Sequence, residues 1–239
     1  MDFKWEKDWH GRIKDLNATI CIEDFCNSQS DIAAVRDRKT GKGLEVNSEA
    51  LALNGFSKRT WQHATRGELV ERLQYPIKEE TVQTINDGEA LACDGKNAKY
   101  SISQQNSYGH VVTLSASVQP IFSATNNRKI IAAYSLCQYQ TFSAAYLVEK
   151  YQNYFSDKPA VFYVGWLVDH LGLTEYFLKT PTIQEVKWLI YSDVKISRAQ
   201  LAEKLSCSLD MLGYYAHSVK NNLNVGCSID SVREKLRLF

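Results

Sequence analysis

Neither sign of charge predominates in this chain. Lysine and arginine total 28 against 27 aspartates and glutamates, a formal net charge of +1. There is no global basic field, so any attraction for nucleic acid must be local. Long hydrophobic runs are also missing. The longest, AVFYVGWLV at 160–168, falls far short of the roughly 20 residues a bilayer-crossing helix needs. No basic and then apolar leader opens the chain, and a cytoplasmic location with no membrane contact is expected. Cysteines at metal or redox spacing are absent too. Cys21, Cys26, Cys93, Cys137, Cys207 and Cys227 are scattered, with no C-x-x-C pair and no histidine at ligand spacing. They are expected to be free, buried thiols rather than zinc ligands or disulfides. The glycines form no phosphate-cradling loop, and the histidines and carboxylates form no nucleophile–base arrangement. No catalytic or metal-ligating residue is therefore expected, and no enzyme.

What is present is a chain of 239 residues, 44% hydrophobic and 23% charged. These are ordinary proportions for a soluble globular protein, with enough chain for one large domain or two small ones. From Asp31 the segment DIAAVRD reads as a strand, RKTGKG as a turn and LEV as the returning strand. Asn47 or Ser48 is expected to cap a short helix carrying Leu51 and Leu53, which NGFS breaks. KEETVQTINDG predicts another short helix, closed by Asp87-Gly88. Three strands follow, AKYSIS, VVTLSASVQP and IIAAYSLCQY, separated by NSYG as a loop and NNRK as a turn. In the middle strand Leu114, Ala116 and Val118 share one face, and Ser115 and Ser117 the other. Consecutive strands with short loops make an antiparallel meander, and the intervening helices are available to cover one of its faces.

The stretch AAVRDRKTGKGLEVNSEALALNGFS resembles the opening of a PAS domain: a strand, a polar hairpin, then V-N-x-x-A-x-x-x-x-G-[YF]-S. Val46, Asn47, Ala50, Gly55, Phe56 and Ser57 stand on that pattern, and the resemblance extends more loosely to about Tyr139. It implies a sensor and dimerisation domain over 1–140, but such a fold does not by itself fix a ligand. A haem needs an axial ligand. His63 and His110 are the histidines of this region, and neither lies on the helix that carries the ligand in PAS haem sensors. The G-x-N-C-R-F-L-Q motif of the flavin-binding LOV subgroup is absent, and Cys93 and Cys137 fit packing better than redox chemistry. No cofactor is expected. An apolar pocket for an unidentified small molecule and a filled core are both compatible with the residues.

Residues 141–180 read as a helical linker. FSAAYLVEKYQNYF has helix-compatible order, and the aromatic stretch after Pro159 predicts one further helix broken near Gly172. Two readings stand side by side for these aromatics: burial within the chain, or a dimer seam that couples the two ends.

Four helix starts follow within 181–239. Thr182 with Glu185 and Ser197 with Gln200 have capping-box spacing, and Ser208 and Ser228 open two more helices. This region resembles the LuxR/GerE-type helix-turn-helix on Leu201, Ala202, Leu205, Ser208, Leu212, Leu223 and Val225, with Cys207 in an aliphatic place. Ser206 stands where a turn glycine is common, a modest cost if that residue is left-handed. At about 100° per residue, Leu212, Ala216, Val219 and Leu223 share the packing face of the third helix. Asp210, Tyr214, His217 and Asn221 lie opposite, flanked by Gly213, Ser218 and Lys220. The family usually carries lysine or arginine near positions 213 and 216, whereas this chain has Gly213 and Ala216. The region from Pro181 holds five Lys and three Arg against three Asp and three Glu, a charge of +2, so phosphate contacts should be few and the salt dependence shallow.

The expected fold is therefore α+β: an N-terminal PAS-like antiparallel sheet with short helices, a helical linker, and a C-terminal all-α four-helix domain of helix-turn-helix type. The expected DNA-binding residues are Lys195, Arg198, Ser208, Tyr214, His217, Ser218, Lys220 and Asn221. The two resemblances together imply a bacterial transcription regulator that binds double-stranded DNA as a homodimer, and the order is similar to that of the TraJ group of conjugative-transfer activators. RNA polymerase or another regulator is the further partner implied. The alternative is a PAS-based interaction module that modulates another regulator by heterodimerising with it, without touching DNA.

Overall fold

The computed structural model describes residues 6–7, 12–15, 18–123 and 126–239, and the chain divides into two units, Met1–Gln140 and Thr141–Phe239. The first unit opens with strands β1 (Glu6–Lys7), β2 (Arg12–Asp15) and β3 (Ala18–Cys21) and helix α1 (Ile22–Asn27). Strands β4 (Ile32–Asp37) and β5 (Gly43–Val46) form a hairpin, in which Thr40 N donates to Asp37 Oδ1 and Gly41 takes a left-handed φ of 66°. Helices α2 (Ser48–Asn54), α3 (Lys58–His63), α4 (Arg66–Glu71) and α5 (Glu79–Cys93) lead to the long strands β6 (Ala98–Gln105), β7 (Val111–Ser123) and β8 (Asn126–Tyr139). The sheet runs β5–β4–β8–β7–β6, antiparallel at each step, with Ala34 opposite Ser135, Ala116 opposite Cys137 and Ile102 opposite Leu114. At the far end of β7, Phe122 and Ser123 pair in parallel with β1, which carries β2 and β3.

Alternation decides which side chains are buried. Leu114, Ala116 and Val118 are buried and Ser115 is exposed, as a strand's two-residue period requires. Helices α2–α5 cover this face through a core that includes Val46, Ala50, Leu53, Trp61, Leu69 and Ile102. A second cluster, with Cys26, Val35, Ile121 and Tyr134, lies apart from it. The PAS-like motif residues each have a local task. Asn47 caps α2, Gly55 ends it at φ 70°, and Ser57 caps α3. The left-handed C-terminal position favours glycine because any Cβ there crowds the backbone.

Three expectations need correction. Helix α5 does not stop at Asp87-Gly88 but continues to Cys93. Gly88 is a packing glycine, since a Cβ there would overlap the ring of Tyr100 on β6, and the close helix–strand approach outweighs the helix-breaking tendency. NNRK is the first part of β8, not a turn. Among the described cysteines only Cys26 is fully buried; Cys93, Cys137, Cys207 and Cys227 are partly exposed, all five are free, and the side chain of Cys21 lies outside the described residues.

The second unit begins with α6 (Ala144–Tyr154), whose buried Ala144, Leu147, Val148, Tyr151 and Tyr154 form one stripe. The segment after Pro159 breaks at Gly172 as expected, but it is not helical throughout. It is a 3-10 turn at Ala160–Phe162, helix α7 (Val164–His170), a left-handed Gly172 at φ 61° and a second 3-10 turn at Thr174–Tyr176. Its aromatics pack mostly on one another: Phe155 stacks on Tyr163 at 5.4 Å between centroids, and Tyr151 is fully buried. Helices α8 (Ile183–Tyr191), α9 (Arg198–Lys204), α10 (Leu209–Asn222) and α11 (Ile229–Leu236) complete the unit. No helix among the described residues is long and apolar enough to cross a membrane.

Candidate nucleic-acid interface

The four helix starts from α8 onward are capped where the sequence places them. Thr182, Ser197, Ser208 and Ser228 each accept a hydrogen bond from the backbone N–H three residues on. Between α9 and α10 the chain reverses through a left-handed Ser206 at φ 51°. Ser206 N donates to Glu203 O and Cys207 N to Ala202 O, both at 2.9 Å. That pair of bonds is a Schellman ending, which satisfies the last carbonyls of α9 and aims the chain into α10.

Helix α10 buries Leu212 and Val219 and packs on α8 and α9. Its outer surface carries Asp210, Tyr214, His217, Lys220 and Asn221, all exposed. Tyr214 is 61% exposed. His217 and Asn221 are one helical turn apart and bonded to each other, Asn221 Nδ2 donating to His217 Nε2 at 2.8 Å. Lys195 precedes α9, Arg198 is its first residue, and both are exposed. Ser208 accepts from Met211 N as the α10 cap, which uses an oxygen lone pair and leaves its O–H free to donate.

Ser218 is placed differently from the expectation. Its hydroxyl donates to Glu185 Oε1, and Glu185, buried, also accepts from Thr182 N at 2.6 Å. A buried carboxylate needs every donor it can find, so Ser218 faces α8 and not the outer surface.

The surrounding cations separate into two groups. Arg237 makes a two-pronged contact with Asp193 at 2.8 and 2.7 Å, which holds the Asp193 carboxyl below its usual range. Arg233 donates to Ser192 Oγ at 2.8 Å and lies over Trp188, and Lys204 sits 4.1 Å above the ring of Tyr191. Lys195, Arg198 and Lys220 make no ion pair among the described residues. Gly213 and Ala216 help to line a shallow groove of about 310 Å³ with Val194, Ile196 and Arg198, and a Cβ at Gly213 would meet nothing within 4 Å.

The end of α10 is clipped to residues 175–179, an attachment that helical periodicity does not foretell. Phe177 bridges Leu223 antiparallel, Leu178 N donates to Asn222 O at 2.8 Å, and the Asn222 amide exchanges hydrogen bonds with the Lys179 backbone at 3.0 and 2.7 Å. Asn224 Nδ2 donates to Glu175 O at 2.6 Å and Phe177 O at 3.3 Å. The only local sign is the polar–apolar–polar triplet Asn222-Leu223-Asn224, whose partners lie more than forty positions earlier.

Among solved structures, the chain is similar to VqmA of Vibrio cholerae in a complex with ligand and DNA. The identity is 13% over 89% of this chain and 84% of that one, with a TM-score of 0.43. It is similar to the VqmA dimer without target DNA at 12% identity over 89% and 83%, with a TM-score of 0.41. It also resembles a PAS domain from Colwellia psychrerythraea, at 17% identity over 48% of this chain and 91% of that one, TM-score 0.38. No family model and no curated protein sequence matches the chain. Similarity at this level assigns neither ligand nor function.

Proposed function

We propose that the chain is a transcription regulator whose second unit binds double-stranded DNA with α10 in the major groove. The observation that carries this reading is the outer face of α10, where Tyr214, His217, Lys220 and Asn221 are exposed, together with exposed Lys195 and Arg198 at the start of α9. Asparagine pairs with adenine through its amide, and histidine and tyrosine reach base edges or phosphate. Lys195, Arg198, Lys220 and the Ser208 hydroxyl supply the phosphate contacts. So few cations give weak binding at one site, and a homodimer on two half-sites offsets that weakness. Activation of conjugative-transfer genes, through RNA polymerase or another regulator, is the finer form of the proposal. It is supported by the order of a PAS-like unit and a helix-turn-helix in a chain of this length.

The test is fluorescence anisotropy on duplex DNA across a salt series. Converting Lys195, Arg198 and Lys220 together to Ala should weaken binding on every sequence. It should also flatten the plot of log K against log salt by about 0.9 for each phosphate no longer neutralised. A folded triple variant with the wild-type slope overturns the DNA reading.

A second reading has its own observation. Leu209, Met211 and Tyr214 are 51%, 37% and 61% exposed along the first half of α10, and the groove around Gly213 and Ala216 lies on the same helix. Met211 and Tyr214, about 60° apart around the helix, offer an apolar strip to a protein partner, as in a module that heterodimerises with another regulator.

A further inference from the structure

The first unit contains a cavity of about 130 Å³, lined by the sheet and helices α2–α5, and its wall is chemically divided. Leu53, Leu69, Ile85 and Leu114 are part of an apolar lining, into which Arg36, Arg66 and Glu89 set a contiguous charged patch. Neither His63 nor His110 is among the lining residues.

Arg36 is 6% exposed, and its guanidinium carbon lies 4.2 Å from the ring centroid of Trp61. Its Nη1 donates to Gly41 O at 3.1 Å, but its Nε has no hydrogen-bond acceptor among the described residues. Glu89 Oε1 is 3.6 Å from that Nε, and Arg66 already holds the same oxygen. Two guanidiniums therefore share a single carboxylate oxygen, and the patch keeps an excess positive charge. Burial and the neighbouring Arg66 lower the Arg36 pKa to about 10, which leaves it cationic at neutral pH. The Cys137 thiol in the same wall is pushed up to about 11 by burial, and burial raises the Tyr100 phenol as well. Neither provides a balancing anion. A buried charge without a full partner is costly, and hydrogen bonds from a guanidinium to a carboxylate are among the strong, charge-assisted ones.

We propose that this cavity binds a small monoanion with an apolar body, a carboxylate of about benzoate size. Its carboxylate lies against Arg36 and Arg66, and its body lies among the leucines and Ile85. At about 130 Å³ the cavity is slightly smaller than a dry cavity of about 150 Å³ that accommodates benzene, so the body can be no larger than one ring. The positive excess selects the head group. This assignment stands whether or not α10 meets DNA, because every residue it uses belongs to the first unit.

The test is calorimetric titration and thermal denaturation of the full chain with benzoate, with benzamide as the neutral isostere and benzylamine as the cation. Benzoate should bind saturably and raise the unfolding temperature. Benzamide should bind at least about tenfold more weakly, because one charge-assisted hydrogen bond is lost, and benzylamine should not bind. Arg66→Gln removes one guanidinium at a partly exposed position and should weaken benzoate by a similar factor without changing the affinity for benzamide. Should that variant fail to fold, the ligand series on the unaltered chain still decides the matter. Equal affinity for benzoate and benzamide, no saturable binding of benzoate at millimolar concentration, or unchanged benzoate affinity in folded Arg66→Gln protein would each overturn the proposal.

Discussion

Asn47 holds the start of α2 to two neighbouring segments at once. Its Oδ1 accepts from Ala50 N and from Ala33 N on β4, both at 3.1 Å, and its Nδ2 donates to Asp31 O at 2.6 Å. Asn47→Ala removes a helix cap and also strands a buried N–H of β4. Cap loss and an unsatisfied buried donor together should cost about 2–4 kcal/mol, read as a lower urea midpoint with an unchanged m-value. Ser206 gives the opposite case. Its left-handed φ of 51° strains any side chain, so Ser206→Gly should stabilise the protein, by an amount below about 1 kcal/mol because glycine also loosens the unfolded chain. Both positions were legible in the sequence, Asn47 as one of two candidate helix caps beside Ser48 and Ser206 as a glycine replacement, because a cap or a turn is decided within a few residues. Gly88 and Ser218 were not. The partner of Gly88 is Tyr100 on a later strand, and that of Ser218 is Glu185, 33 positions away. A helical projection places such residues on a flank and leaves open what stands across from them.

At the scale of the element, α10 is where the sequence reading and the structure agree on placement and divide on equipment. The exposed face with Tyr214, His217 and Asn221 follows from the 3.6-residue period alone. The clip at Asn222 and Asn224 and the engagement of Arg233 and Arg237 by α8 and the loop after it do not, since they are contacts between distant segments. The space beside Gly213 is open. Gly213→Lys adds a side chain where nothing opposes it and replaces a helix-interior glycine, which costs roughly 1 kcal/mol relative to good helix formers. The variant should therefore unfold at higher denaturant concentration. It should also bind random duplex more tightly, with a steeper salt slope. An unchanged affinity and slope in a more stable protein would place position 213 away from the phosphates.

For the whole molecule, the expected solution species is a dimer. The aromatics after Pro159 are largely buried within their own unit, yet Val161 and Phe162 remain 82% and 50% exposed beside them, and Leu178 is 62% exposed. Light scattering should give twice the 27.2 kDa chain mass over the micromolar range, and a concentration-independent monomer would remove the two-half-site argument. The internal clip bears on a different matter, the places where this chain tolerates recombination. A chimaera that grafts α8–α11 onto a foreign N-terminal unit by joining at 180/181 leaves Asn222, Leu223 and Asn224 facing an unrelated sequence. A junction at 140/141 carries residues 175–179 along with their partners. The inheritable piece is thus the whole of Thr141–Phe239, with its boundary set by two asparagines at the end of one helix.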